Sequence, residues 1–203
     1  MGYAASVTRA LTWLLAALAS ATLSSPLGVD APTASSAGLA RKKAPAAADE
    51  DAPPLLGTLV QTHTGERVML DAASPSAERF DALLADRVTG AKQALAPELL
   101  GLLRSVAAKH PGARVELVSG YRSWKLNEML RKKGHHVASH SQHSLGHAVD
   151  FRVVPPDSAK GLDPRELEKE VRALGWSGGT GVYTLETDWF IHCDVGPDRR
   201  WRG

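Results

Sequence analysis

From Leu55 onward the apolar residues recur with periods that switch between two and three-to-four. Two β-rich runs, Leu56–Gln61 and Glu66–Leu70, flank His63-Thr64-Gly65 and predict a hairpin turned at the glycine. Ser76 is placed to cap a helix carrying Phe80, Leu83, Leu84 and Val88 at helical spacing. Pro97 opens a second helix whose buried face is Leu99, Leu100, Leu102, Leu103 and Val106, and Pro111-Gly112 ends it. Residues 113–118 alternate and read as a strand running into Ser119-Gly120-Tyr121-Arg122-Ser123. A third helix follows, from Ser123 to the neighbourhood of Lys133, with Leu126, Met129 and Leu130 inward. Gly134–Gln142 is polar and reads as a loop, and His147–Val154 as a strand stopped by Pro155-Pro156. Asp163 caps a helix with Pro164 at its first position; Leu167, Val171 and Leu174 face inward and Gly175 ends it. Short strands at Gly181–Thr184 and Trp189–Asp194 complete an α+β pattern without internal repeats: helices packed on a small, largely antiparallel sheet.

The first residues follow a different pattern. Arg9, the apolar run Leu11–Leu18 and the small residues Ala19-Ser20-Ala21 read as an export signal over residues 1–21. The run is well short of the ~20 residues that span a bilayer, so no stable membrane insertion is expected once the signal is removed. No cysteine follows it to carry a lipid, and no twin arginine precedes it, so general secretion is the simpler route. Residues 22–54 are rich in Ala, Pro and Ser, with Arg41-Lys42-Lys43 and Asp49-Glu50-Asp51 as opposite-sign clusters. Such a stretch buries too little surface to offset chain entropy and reads as a disordered tether. The remaining residues, 55–203, suit one domain with one core. A formal net charge of +2 gives no argument for nucleic acid, and a single cysteine, Cys193, excludes an internal disulfide. Stability then rests on packing and on any bound metal, and a monomer is expected.

Candidate chemistry sits in two fragments. In Ser141-Gln142-His143-Ser144-Leu145-Gly146-His147-Ala148-Val149-Asp150, His143 ends a loop, Asp150 lies in a strand, and Gly146 allows the sharp turn that lets both converge. Trp189-Phe190-Ile191-His192-Cys193-Asp194 offers a second imidazole. Two His and one carboxylate with a fourth position open is the donor set of catalytic rather than structural zinc. Alternation along the strand puts His192 and Asp194 on one face and Cys193 on the other, so Cys193 reads as a small buried residue and Asp194 as an acceptor near the metal. His143 and His147, four apart, suggest a helical zinc-protease pair, but no Glu follows His143 and Ser144-Leu145-Gly146 is a poor helical turn. His135, His136 and His140 crowd the preceding loop.

The chain here resembles a known family. Ser141-x-His143-x-x-Gly146-x-Ala148-x-Asp150 is similar to the metal motif of the M15-type zinc peptidases, and Ser119–Ser123 to their arginine motif. His63-Thr64-Gly65-Glu66, Asn127-x-x-Leu130-Arg131, Phe190–Pro197 and Arg200-Trp201 point to the murein endopeptidase branch, over residues 56–203. The resemblance implies a Hedgehog/D-Ala-D-Ala peptidase-like fold and one zinc held by His143, Asp150 and His192. It also implies Arg122 as the donor that steadies charge on the substrate carbonyl, and peptidoglycan stem peptides as substrate, in the periplasm or cell wall. Carboxypeptidase or dipeptidase action on the same substrate, and a non-catalytic zinc-containing wall-binding module, are the alternatives it leaves. Many M15 enzymes carry an acid three residues before the last histidine; Trp189 stands there in this chain. Asp188, one place further back, is expected to face away unless a bulge intervenes. Asp194, His140, His147 and Asp188 are the candidates for the general base.

Overall fold

The computed structural model describes residues 53–134, 138 and 140–203. The export signal, the tether as far as residue 52, and His135 and His136 lie outside these described residues. The elements run in the order β1 (Gly57–Gln61), β2 (Arg67–Leu70), α1 (Ala77–Leu83), α2 (Pro97–Lys109), β3 (Arg114–Ser119) and α3 (Trp124–Lys132). A 3-10 helix (Gln142–Leu145) precedes β4 (Ala148–Val154), α4 (Pro164–Ala173), β5 (Gly179–Leu185), β6 (Asp188–Asp194) and β7 (Arg200–Arg202). The seven strands form one mixed sheet in the order β2-β1-β3-β4-β6-β5-β7. β1/β2, β3/β4, β4/β6 and β5/β6 pair antiparallel. The two parallel pairings are β1/β3, whose crossover carries α1 and α2, and β5/β7. The α+β reading holds.

The core lies on one face of the sheet. Leu59 of β1, Val115 and Leu117 of β3, Val149, Phe151 and Val153 of β4, and Ile191 and Cys193 of β6 are all fully buried in it. They meet the apolar stripes of α2 (Leu99, Leu103, Val106) and α4 (Leu167, Val171). Both helices open as their sequences require: Pro97 and Pro164 sit in the first turn, and the Asp163 side chain accepts from the Arg165 N–H at 2.8 Å. Because side chains alternate across a strand, the residues between these core positions point to the opposite face. On β4 and β6 those residues include Asp150, His192 and Asp194.

Two expectations change. The helix begun at Ser76 stops at Leu83, and Val88 is 45% exposed rather than part of a buried stripe. Asp86 accounts for the break. Its Oδ1 accepts from the Val88 and Thr89 N–H groups at 2.8 and 2.7 Å, a local side-chain turn that competes with helix. In α3, Met129 is only half-buried while Asn127 is fully buried, its Nδ2 donating to the Ala138 carbonyl at 3.0 Å.

Candidate metal centre

Three elements bring three side chains together on the open face. β4 and β6 are neighbours, and their register sets Asp150 directly opposite His192. The 3-10 helix supplies His143, and Gly146 at φ +74° closes it and returns the chain into β4. No L-residue adopts that φ readily, and a Cβ there would also overlap the Ala94 carbonyl, so only glycine allows this turn. His143, Asp150 and His192 are 2%, 2% and 7% exposed, a degree of burial that charged or polar groups take only when partnered.

The strand β3 supports the group from the other side. It pairs with β4 in register as far as Leu117 opposite Phe151; beyond this Ser119, and not Val118, stands opposite Asp150. This β-bulge turns Ser119 toward the site and re-aims the chain that follows. The Gly120 carbonyl then accepts from His143 Nδ1 at 2.7 Å, and Ser119 Oγ accepts from Arg122 Nε at 2.8 Å. Arg122 Nη2 donates to Asp150 Oδ2. Gly120 has no room for a side chain, since a Cβ would lie 2.5 Å from Leu84 Cβ.

These partners determine which ring nitrogens face inward. A carbonyl only accepts, so His143 Nδ1 carries the proton and Nε2 presents a lone pair. Asp194 Oδ2 lies 3.0 Å from His192 Nε2, so that nitrogen donates and Nδ1 presents a lone pair. His143 Nε2 and His192 Nδ1 are 3.1 Å apart, and each also faces Asp150 Oδ1, at 3.2 and 2.8 Å. Three acceptors turned on one point repel one another unless a cation lies between them. A tetrahedral zinc with ligands at ~2.1 Å separates its donor atoms by roughly 3.4 Å, near two of the three spacings found, with the third somewhat shorter. The residues therefore fit a zinc-sized cation: two imidazole nitrogens and one carboxylate oxygen.

The titration behaviour agrees. Burial, reinforced by the positive charge of Arg122, presses the His143 pKa down to about 4, so its lone pair is available at neutral pH. Burial alone would raise Asp150, but His143, Arg122 and the hydrogen bonds outweigh it and hold the carboxyl well below its ordinary range. Burial works against a charged His192 too, yet the hydrogen bonds to Asp150 and Asp194 prevail and raise its pKa.

The remaining candidates scatter. Asp194 is fully buried behind His192, where it also accepts from the Gly196 N–H (2.8 Å) and Arg199 Nη2 (3.0 Å). Burial would raise its pKa, but the His192 and Gly196 contacts bring it to about 2. It touches the cluster through His192, so the geometry makes it a residue that positions that imidazole. Asp188 does not face away. β5 and β6 pair without a bulge from Asp194 back to Asp188, so Asp188 shares the His192 face, four residues or about 13 Å along the strand. Trp189 points to the other face, where its Nε1 donates to the Gly161 and Leu162 carbonyls at 3.1 and 3.0 Å. His147 and His140 are exposed. Cys193 is fully buried in the core, where burial raises its thiol pKa far above the ordinary value.

Residues 58–201 match the peptidase family described as Peptidoglycan L,D-endopeptidase MepK. The chain belongs to this family. It is 30% identical over 158 residues to the probable peptidoglycan L,D-endopeptidase MepK of Haemophilus influenzae, covering 74% of this chain and 80% of that protein. It is also 30% identical over 158 residues to the peptidoglycan L,D-endopeptidase MepK of Escherichia coli K12, with 73% and 80% covered. A crystal structure of the Serratia marcescens L-Ala D-Glu endopeptidase ChiX aligns over 49% of this chain and 80% of that one, at 18% identity and a TM-score of 0.34. The sequence motifs reached His143, Asp150 and His192, which the fold brings together, and Ser119 and Arg122 beside them. The Gly120 carbonyl and Arg199 carried no signal, because a backbone acceptor and a lone loop residue have no spacing of their own.

Proposed function

We propose that this chain is a zinc-dependent peptidoglycan endopeptidase that hydrolyses stem-peptide cross-links. In this reading residues 1–21 are an export signal, residues 22–54 a tether, and residues 55–203 the catalytic domain acting in the periplasm or cell wall. The observation that carries it is the convergence of His143 Nε2, Asp150 Oδ1 and His192 Nδ1 with both outer imidazole nitrogens already committed as donors. Membership of a peptidoglycan endopeptidase family supports the substrate class. Among the described residues no helix is long and apolar enough to cross a membrane.

Held by the three side chains, zinc supplies a Lewis acid for the scissile carbonyl and a water acidic enough to attack it near neutral pH. The protein's own residues do the rest. Asp194 and the Gly120 carbonyl fix the two imidazoles in the tautomers that bind metal. Arg122 neutralises the outer oxygen of Asp150, so that carboxylate offers one oxygen inward. Its Nη1 is the remaining edge of the guanidinium for the carbonyl oxygen as negative charge develops, a role worth about 3 kcal/mol for a single fixed donor.

Purified protein with one equivalent of zinc should release cross-linked stem-peptide fragments from sacculi, read by mass spectrometry of the muropeptides. A chelator or His143→Ala should abolish release. Sacculi left intact after prolonged digestion with zinc present would sink the proposal, and the mass of each fragment identifies the bond cut.

A further inference from the structure

We infer that the Tyr183 hydroxyl is a second hydrogen-bond donor to the scissile carbonyl oxygen, placed across the site from Arg122; the inference rests on the peptidase reading above. The sheet order places the two walls. Asp150 and His192 stand on β4 and β6, with His143 on the 3-10 helix before β4; Arg122 and Ser119 lie on the β3 side, and Tyr183 and Trp201 on the β5 and β7 side. Gly181 stands opposite both His192 on β6 and Trp201 on β7. Having no side chain, it lets the Trp201 indole lie flat over β5, with Nε1 only 2.6 Å from where a Cβ would be. The indole thereby approaches the His192 imidazole, with ring centroids 5.1 Å apart.

Tyr183 is two residues along β5 from Gly181 and so on the same face of the sheet as His192. Its ring is stacked on Phe190 with centroids 4.6 Å apart, which fixes the direction of the side chain. Its Oη lies 3.2 Å from Trp201 Nε1. An indole N–H only donates, so the phenol oxygen accepts there and its own proton remains to be given elsewhere. The hydroxyl thus lies beside the indole over Gly181, next to the His192 end of the site, with an uncommitted O–H. Burial raises the Tyr183 pKa, the Trp201 hydrogen bond works against this, and the nearby Asp150 charge adds to it, so the phenol stays protonated at neutral pH.

No bond to Tyr183 forms or breaks in this role. The hydroxyl keeps its proton and hydrogen-bonds the carbonyl oxygen as the carbon becomes tetrahedral and negative charge moves onto that oxygen. A donor that gains strength only as charge develops raises turnover more than it raises substrate affinity.

The test uses the full chain with one equivalent of zinc, as wild type and Tyr183→Phe. The probe is a phosphinic peptide, in which a tetrahedral phosphinate replaces the scissile amide of a stem-peptide cross-link. Calorimetry should show Tyr183→Phe binding it about tenfold more weakly or worse, with zinc stoichiometry and the melting temperature of the metal-free protein unchanged. On cross-linked muropeptide kcat should fall by at least the same factor, with KM within about threefold. Phosphinate affinity within twofold of wild type would overturn the inference, as would a loss that follows zinc content or metal-free melting. If wild type binds the phosphinate and the variant binds it tenfold more weakly, but neither cuts cross-links, Tyr183 stands as an oxyanion donor and the endopeptidase reading fails by itself.

Discussion

Asp194 decides which nitrogen His192 turns toward Asp150. Its carboxylate accepts a hydrogen bond from Nε2–H, and the Gly179 position has no room for a Cβ beside that carboxylate. Asp194→Ala removes the acceptor and leaves the imidazole free to change tautomer. Zinc affinity should fall about 10–100-fold, measured by competition with a chromophoric chelator. Unchanged affinity would show that the ring is oriented by packing against Trp201 alone. The residues of this site were legible in the sequence where a local motif fixed them. Asp150 and His143 share one ten-residue stretch, and parity along β6 was enough to prefer His192 over Cys193. Parity also settles what the sequence reading of Asp188 missed. Four residues is an even number, so Asp188 shares the face of His192, while Trp189, one residue on, looks into the 161–162 loop.

At the scale of elements, the arginine loop is held by a side chain far from it in sequence. Asp86 is 1% exposed; its Oδ1 closes the turn that ends α1, and its Oδ2 accepts from the Ser123 N–H at 2.6 Å, at the start of α3. It thereby ties the residue after Arg122 to the α1 turn. Burial alone would raise its pKa, but the contacts with Ser123, Thr89 and Val88 bring it from 3.8 to about 2. A depressed carboxyl stabilises the fold only while ionised. The contribution is complete above pH ~4, shrinks as pH falls toward 2, and is gone below that. The difference is on the order of 2 kcal/mol at neutral pH. Melting of wild type and Asp86→Asn should differ by a constant amount from pH 5 to 8 and converge below pH 3. A gap that persists at pH 2 would place the effect in packing instead of charge. Helices α2 and α4 were visible in the sequence because an opening proline and a periodic apolar stripe agree in each, with a capping aspartate added in α4. β7 was not, because three residues reading Arg-Trp-Arg have no apolar alternation, and their only partner, β5, is parallel and about twenty residues earlier in the chain.

For the whole molecule, the decisive arrangement is that core and site occupy opposite faces of one sheet. Leu59, Val115, Phe151, Val153, Ile191 and Cys193 pack against α2 and α4 on one side, and none of His143, Asp150 and His192 belongs to that cluster. Burial on the core face depends on the helices, not on metal, unlike small zinc domains that unfold when stripped. The metal-free chain should therefore still melt in one cooperative transition, seen by circular dichroism after chelation. Zinc held as proposed would nevertheless join the 3-10 helix to β4 and β6, and binding to the folded state alone would stabilise it by mass action. At a free concentration one hundred times Kd the gain is about 2.7 kcal/mol. For a domain of this size each kcal/mol moves the melting temperature by roughly 2–4 °C, so the shift should be on the order of 5–10 °C and reversed by chelator. A stripped chain that melts without cooperativity would mean that the three acceptors on the open face destabilise the sheet beneath them. The ligands would then be part of what holds β4 and β6 in register, and the separation of core from site would fail.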